Sequence, residues 1–180
     1  MKYILFISVP LFILDQVTKL AILKKFAPPP PHEHIEVIPG FFNLTRVHNT
    51  GMAFGLLNGN PAANYIFGAI GLIAIFVIVK MWRNNAFPDR LTKVAVALLV
   101  SGIIGNLTDR VIPGRGYVVD FLDFKLPLWH LIDKDSGGHF PSFNVADSCI
   151  CIAACLLIIG AIRGIRQEIA EKKSKESTAA

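Results

Sequence analysis

Residues 105–110 read GNLTDR and residues 143–148 read FNVADS, and these two stretches decide how the chain must fold. Each places an Asn three residues before an Asp, and each lies at the end of a long apolar run. An ionisable side chain is costly in such a position unless it has a partner or a function. We therefore expect Asp109 and Asp147 to meet at one face of a membrane and to act together.

The composition of the 180 residues indicates a membrane protein. Hydrophobic residues make up 53% of the chain and charged residues 17%, and the mean hydropathy is +0.52. A typical soluble domain carries about 25% charged residues. The net charge is +5, but the cations mostly flank apolar runs and are not interleaved with aromatic residues. This pattern indicates membrane topology and argues against a nucleic-acid partner.

Four apolar segments predict an all-α polytopic membrane protein. The predicted spans cover residues 3–23, 62–82, 91–108 and 144–162, close to the roughly 20 residues that cross a bilayer. They form a single membrane-embedded domain over residues 1–166, followed by a polar cytoplasmic tail over residues 167–180. A cleaved signal peptide is the alternative for the first segment, but Asp15, Gln16 and Lys19 follow it in place of a small-residue cleavage site.

Two segments outside the spans have their own predictions. Residues 35–47 have strand character around a Pro-Gly turn and predict a small extracytoplasmic β platform. Residues 110–142 form a long extracytoplasmic loop. Cations at the amino terminus, in the 80–93 connection and in the tail place both termini in the cytoplasm. Lys24, Lys25 and Arg46 fall on the outer side and fit this topology less well.

Metal-binding and redox chemistry have weak support. His32 and His34 flank Glu33 without a defined third ligand, so a solvated loop is favoured over a metal site. All three cysteines lie in the last span, where small buried hydrophobic side chains are expected. We predict no metal and no cofactor.

Antiparallel spans bring the motif aspartates to one depth. Asp109 lies 18 residues past Leu91, about 27 Å along a helix from the inner boundary. Asp147 lies 15 residues before Ile162, about 22 Å from the same boundary. Two close carboxylates cannot easily both ionise, so one acts as base and the other as acid, as in an aspartic protease.

Two other classes of function are compatible with these carboxylates. A proton-coupled small transporter would use them as a relay and predicts polar residues continuing toward the cytoplasm, which the second and fourth spans almost lack. A non-catalytic binding or assembly factor predicts that replacing Asp109 or Asp147 by Asn leaves function largely intact.

Five motifs, in order, resemble those of bacterial lipoprotein signal peptidase (signal peptidase II). They are DQVTK at 15–19, NTGMAF at 49–54, GNLTDR at 105–110, VVDF at 118–121 and FNVAD at 143–147. The resemblance implies a monomeric aspartic endopeptidase of the bacterial inner membrane. Its substrates would be diacylglyceryl-prolipoproteins, cleaved just before the lipidated cysteine, and membrane lipids would surround it. The cyclic peptide globomycin would inhibit it.

The resemblance also assigns the site. Asp109 and Asp147 would be catalytic. Substrate-binding or supporting positions would be Asp15, Lys19, Asn49, Gly102, Asn106, Arg110 and Asn144. Asp120 and Asp123 are interpreted as structural or solvent-facing. Residues 125–140 are longer than the family pattern, and a lid, a substrate rest and an inert insertion all stay open for them.

Overall fold

The computed structural model describes residues 2–29, 33–51, 62–87 and 89–179. Some residues that carried sequence predictions lie outside these ranges: His32, and Met52, Ala53 and Phe54 of the NTGMAF motif.

Four helices form the bulk of the protein. They are α1 (Val9–Lys25, continuous with a π-helical segment at Ile4–Ser8), α2 (Ala63–Arg83), α3 (Arg90–Val111) and α4 (Val145–Ala179). Four segments are long and apolar enough to cross a membrane: Ile4–Lys25, Ala63–Arg83, Arg90–Val111 and Val145–Lys172. This confirms the predicted four-span fold class. The helix of the last span continues well past residue 162, through most of the polar tail.

Close packing between α3 and its neighbours depends on two glycines. A Cβ at Gly102 would overlap the carbonyl oxygen of Ala146 and the side chain of Ile150 on α4. A Cβ at Gly105 would lie 2.7 Å from the Asp15 carboxylate on α1. The absence of side chains at these two positions therefore lets α1 and α4 approach α3 at the level of the polar motifs, as small residues do in membrane helix packing.

A three-stranded antiparallel sheet covers one end of the bundle. Its order is β1 (His34–Ile38), β2 (Phe42–Asn49) and β3 (Val118–Phe124). The first two strands are the predicted platform. The third strand lies inside the predicted outer loop and was not foreseen. The backbone N–H groups of Phe121 and Leu122 both donate to the carbonyl of Phe143, at 3.0 and 2.8 Å, which fixes β3 against the start of α4.

The sheet is joined to α1 by a small core and by one cation. Ile22, Phe26, Val119 and Phe121 form the buried apolar cluster. Arg46 on β2 is buried and donates to the carbonyl oxygen of Phe26 at 2.9 Å, just past the end of α1. Arg46 therefore satisfies backbone acceptors at a helix end. Arg46 thus has a structural role, and its position in the chain is not a topology signal.

Candidate active site

The Asn-x-x-Asp motif of residues 144–147 forms a reciprocal cap at the start of α4. The backbone N–H of Asp147 donates to Asn144 Oδ1 at 2.9 Å, and the backbone N–H of Asn144 donates to Asp147 Oδ2 at 3.1 Å. The three-residue spacing is the one that lets a helix cap and a first-turn acceptor bond each other. A carboxylate is also stabilised there by the positive end of the helix dipole.

Asn106 extends this network to α3. Its Nδ2 donates to Asp147 Oδ1 at 2.7 Å. Its Oδ1 accepts from Lys19 Nζ at 3.0 Å and from Asn144 Nδ2 at 3.1 Å. The two motif asparagines thus both donate hydrogen bonds to the Asp147 carboxylate.

Asp120 on β3 is the carboxylate that the fold brings to Asp147. It is 2% exposed, so it does not face solvent. It accepts from Asn144 Nδ2 at 2.7 Å and from Asn49 Nδ2 at 2.9 Å. Burial and, after it, the negative charge of Asp147 raise the pKa of Asp120 to about 7, although the hydrogen bonds from Asn49 and Asn144 oppose the shift. Asn144 therefore contacts both members of an electrostatically coupled pair.

Asp109 has different surroundings from those expected for a catalytic acid or base. It is fully buried, and its Oδ1 pairs with Arg115 Nη1 at 2.7 Å. Its Oδ2 pairs with Lys19 Nζ at 3.0 Å and accepts from the backbone N–H of Val119 at 3.2 Å. Both oxygens are thus held by cations and by the main chain, which speaks against the predicted pairing of Asp109 with Asp147.

Asp15 and Lys19, four residues apart on α1, form an ion pair at 2.8 Å, with neither side chain more than 1% exposed. Asp15 Oδ1 also accepts from the backbone N–H of Ala146 at 2.9 Å, in the first turn of α4. The ammonium of Lys19 reaches Asp15, Asp109 and Asn106, which uses all three of its donors. Lys19 therefore connects α1 to the motif of residues 105–110, and Asp15 connects α1 to the motif of residues 143–148.

The remaining predicted positions support the pair from outside. Asn49 donates to Asp120, and its Oδ1 accepts from the backbone N–H of Gly51 at 3.0 Å. Arg110 donates to Asn64 Oδ1 on α2 at 2.8 Å and to the carbonyl oxygen of Gly51 at 2.7 Å. Arg110 therefore joins the chain just after β2 to the start of α2. Gly102 lies where α3 contacts α4.

Two residues in direct contact with this network were not assigned to it from the sequence. Asp120 lies in the VVDF motif, but the strand that orients it was not recognised within the loop. Arg115 lies in the turn after α3 and has no periodic or motif signal. The VVDF match was the one available sign that Asp120 belongs to the site.

A second polar cluster lies apart from the carboxylate pair. Asp123 is 7% exposed, accepts from Asn43 Nδ2 at 2.8 Å and contacts His139 Nδ1 at 2.9 Å, beside a cavity of about 440 Å³. The structural interpretation of Asp123 agrees with these contacts. Within the described residues, no group of three or more His, Cys, Asp or Glu side chains is arranged to hold a metal ion.

Two solved structures of bacterial membrane enzymes, obtained by the in meso method at 2.3 and 1.9 Å resolution, have the same architecture. The first has a TM-score of 0.75 and 34% identity, and the match covers 91% of this chain and 89% of the other. The second has a TM-score of 0.73 and 32% identity, with 89% and 93% covered. Fold and site together define a multi-pass membrane enzyme.

The sequence comparison identifies the family. The model of the family described as Signal peptidase (SPase) II matches residues 7–163. Lipoprotein signal peptidases of Burkholderia cenocepacia and Burkholderia vietnamiensis are 40% and 39% identical over 161 residues, which cover 89% of this chain and 87% of each relative. The chain belongs to the signal peptidase II family and is a peptidase. This membership does not support the transporter alternative.

Proposed function

We propose that this protein is an aspartic endopeptidase that removes the signal peptide from diacylglyceryl-modified prolipoproteins by cleaving just before the lipidated cysteine. Asp120 and Asp147 are its catalytic pair. The observation that carries the assignment is the contact of Asn144 with both carboxylates, together with a pKa of about 7 for Asp120. A carboxyl group with that pKa exchanges its proton readily at neutral pH.

The pair shares one proton and works as a unit. The ionised member takes a proton from a water molecule, whose oxygen attacks the scissile carbonyl carbon. The protonated member donates to the carbonyl oxygen, which gives a tetrahedral intermediate. When this collapses, the C–N bond breaks and the new amino terminus on the lipidated cysteine receives a proton from the pair. No covalent enzyme intermediate is needed.

Asp109 acts as a positioning residue in this scheme. It accepts the backbone N–H of Val119 and so holds the residue immediately before Asp120. Its ion pair with Lys19 joins this strand to α1. The catalytic role first expected for Asp109 is thereby transferred to Asp120, while Asp109 determines where Asp120 lies.

The proposed location is the bacterial inner membrane, with both termini in the cytoplasm and the site near the outer face. The distribution of cations supports this orientation. Lys80 and Arg83 end α2 and Arg90 begins α3, whereas the carboxylates and the sheet lie at the other ends of α3 and α4. A lipid-anchored substrate then reaches the pair laterally from the outer leaflet.

Cleavage of a purified lipidated prolipoprotein in detergent tests the proposal. The expected result is release of the signal peptide from the diacylglyceryl form, inhibition by globomycin and no effect of a chelator. Equal cleavage of a substrate whose cysteine carries no lipid would contradict the proposed specificity. Inhibition by the chelator would contradict the aspartic mechanism. Activity at the mass of one chain tests the predicted monomer.

A further inference from the structure

The segment between β3 and α4 exposes three large aliphatic side chains within five residues. Leu128, Leu131 and Ile132 are 73%, 67% and 74% exposed. We call these three residues the loop patch. Large apolar side chains grouped in this way on an extramembrane segment mark a binding surface.

The segment that carries the loop patch has a defined conformation. The backbone N–H of Leu126 donates to the carbonyl of Gly138 at 2.8 Å, which closes its base. Short 3₁₀ turns at Trp129–Leu131 and Lys134–Ser136 fold the part between. Trp129 packs edge-on against Phe140, with ring centroids 4.7 Å apart. The indole thus anchors the segment on its inner side, while its neighbours project outward.

Aromatic contacts place this segment at the level where α4 enters the membrane. Phe140 contacts Phe143 at 6.0 Å, and Phe143 stacks on Phe124 at 5.7 Å. Phe143 lies two residues before Val145, where the last membrane-spanning segment begins. A series of aromatic contacts therefore links the segment that carries the loop patch to the boundary of the membrane-spanning region. Aromatic residues are enriched at this boundary in membrane proteins.

We propose that the loop patch inserts into the lipid surface of the leaflet at this end of the bundle. The charges around it balance, because Lys125 and Lys134 are matched by Asp133 and Asp135. Insertion is therefore driven by apolar burial and does not require anionic lipid. The proposal rests on the membrane topology and not on the peptidase chemistry.

Depth-dependent quenching of tryptophan in proteoliposomes tests the insertion. Leu131→Trp and the matched control Lys134→Trp are made in a Trp82→Phe background, so that Trp129 contributes equally to both. The vesicles are phosphatidylcholine with bromine placed at shallow or deep acyl positions. We expect blue-shifted emission and strong loss of fluorescence for Leu131→Trp with the shallow label, and little loss for Lys134→Trp. Unchanged thermal unfolding of both variants confirms that they are folded.

Three outcomes would overturn the proposal. One is equal quenching of the two variants. A second is quenching of Leu131→Trp that requires added anionic lipid. The third is quenching that appears only with a lipidated substrate carrying brominated acyl chains and not with brominated bilayer lipid. That last result would assign the loop patch to the substrate. A lipoprotein cleavage defect is not part of this test, so failure here leaves the proposed peptidase function untouched.

Discussion

The side-chain amide of Asn144 donates to the carboxylate of Asp120 at 2.7 Å. The same residue donates its backbone N–H to Asp147 and receives the backbone N–H of Asp147 in return. One residue thus sets the geometry of both carboxylates. This explains why an Asn stands three positions before the Asp, because the helix cap and the carboxylate pair use the same side chain.

Replacing Asn144 by Ala should lower kcat by about 10²-fold or more, since one preorganised donor in a buried site is lost. It should also raise the pKa of Asp120, because the lost hydrogen bond favours the ionised form. The limb of the pH profile that reports loss of the shared proton should therefore move to higher pH. Asn49→Ala removes the other amide donor without touching the α4 cap, and should shift the limb in the same direction. Profiles unchanged in both variants would contradict this role.

The stability of the native protein should fall as pH rises from about 4 to about 7. The pKa of Asp120 is about 7 in the folded protein against an ordinary value of 3.8. Between these two values the folded state binds the extra proton, so its advantage over the unfolded state declines with rising pH. Asp120→Asn should flatten this dependence in thermal unfolding measured across the pH range. The same slope in the variant would show that another group is responsible.

Replacing Lys19 by Met should destabilise the protein by about 3–5 kcal/mol, since buried carboxylates lose their partner. Asp15 and Asp109 both pair with this ammonium, and all three side chains are almost completely buried. Thermal unfolding in detergent measures the loss. The double variant Lys19→Met, Asp15→Asn should recover part of it. Full stability of Lys19→Met alone would mean that the ion pairs do not form.

Substitution of Gly102 by Ala should separate α3 from α4 and cost about 1–3 kcal/mol of stability, as overpacking does. The added Cβ would meet the carbonyl of Ala146 and the side chain of Ile150. Gly71→Ala on α2 is a matched control, because its Cβ would lie 3.6 Å from Ile103, an ordinary contact. Activity should fall with Gly102→Ala and persist with Gly71→Ala. The reverse order would refute the helix-contact role.

The four spans could be predicted because apolar length is a strong and local signal. The first two strands could be predicted from the strand-like residues on either side of a Pro-Gly turn. The pairing of carboxylates could not be obtained in this way. The estimated depth along each helix placed Asp109 and Asp147 at the same level of the membrane. Depth does not reveal in which direction a side chain points or which groups it contacts. Arg115 and Lys19 pair with both oxygens of Asp109. The pairing of β3 with β2 and with Phe143, which orients Asp120, is a tertiary contact that the local sequence does not reveal.

The central claim is that Asp120 and Asp147 carry the chemistry while Asp109 positions Asp120. Cleavage of a diacylglyceryl-prolipoprotein by purified Asp120→Asn, Asp147→Asn and Asp109→Asn protein, with thermal unfolding of each, tests it most directly. We expect Asp120→Asn and Asp147→Asn to lose about 10³-fold or more of kcat, with the stability of Asp120→Asn at neutral pH retained or raised. Asp109→Asn should lose stability, and its residual cleavage should keep the unaltered pH profile. Full stability with abolished cleavage in Asp109→Asn, beside an active Asp120→Asn, would contradict the account.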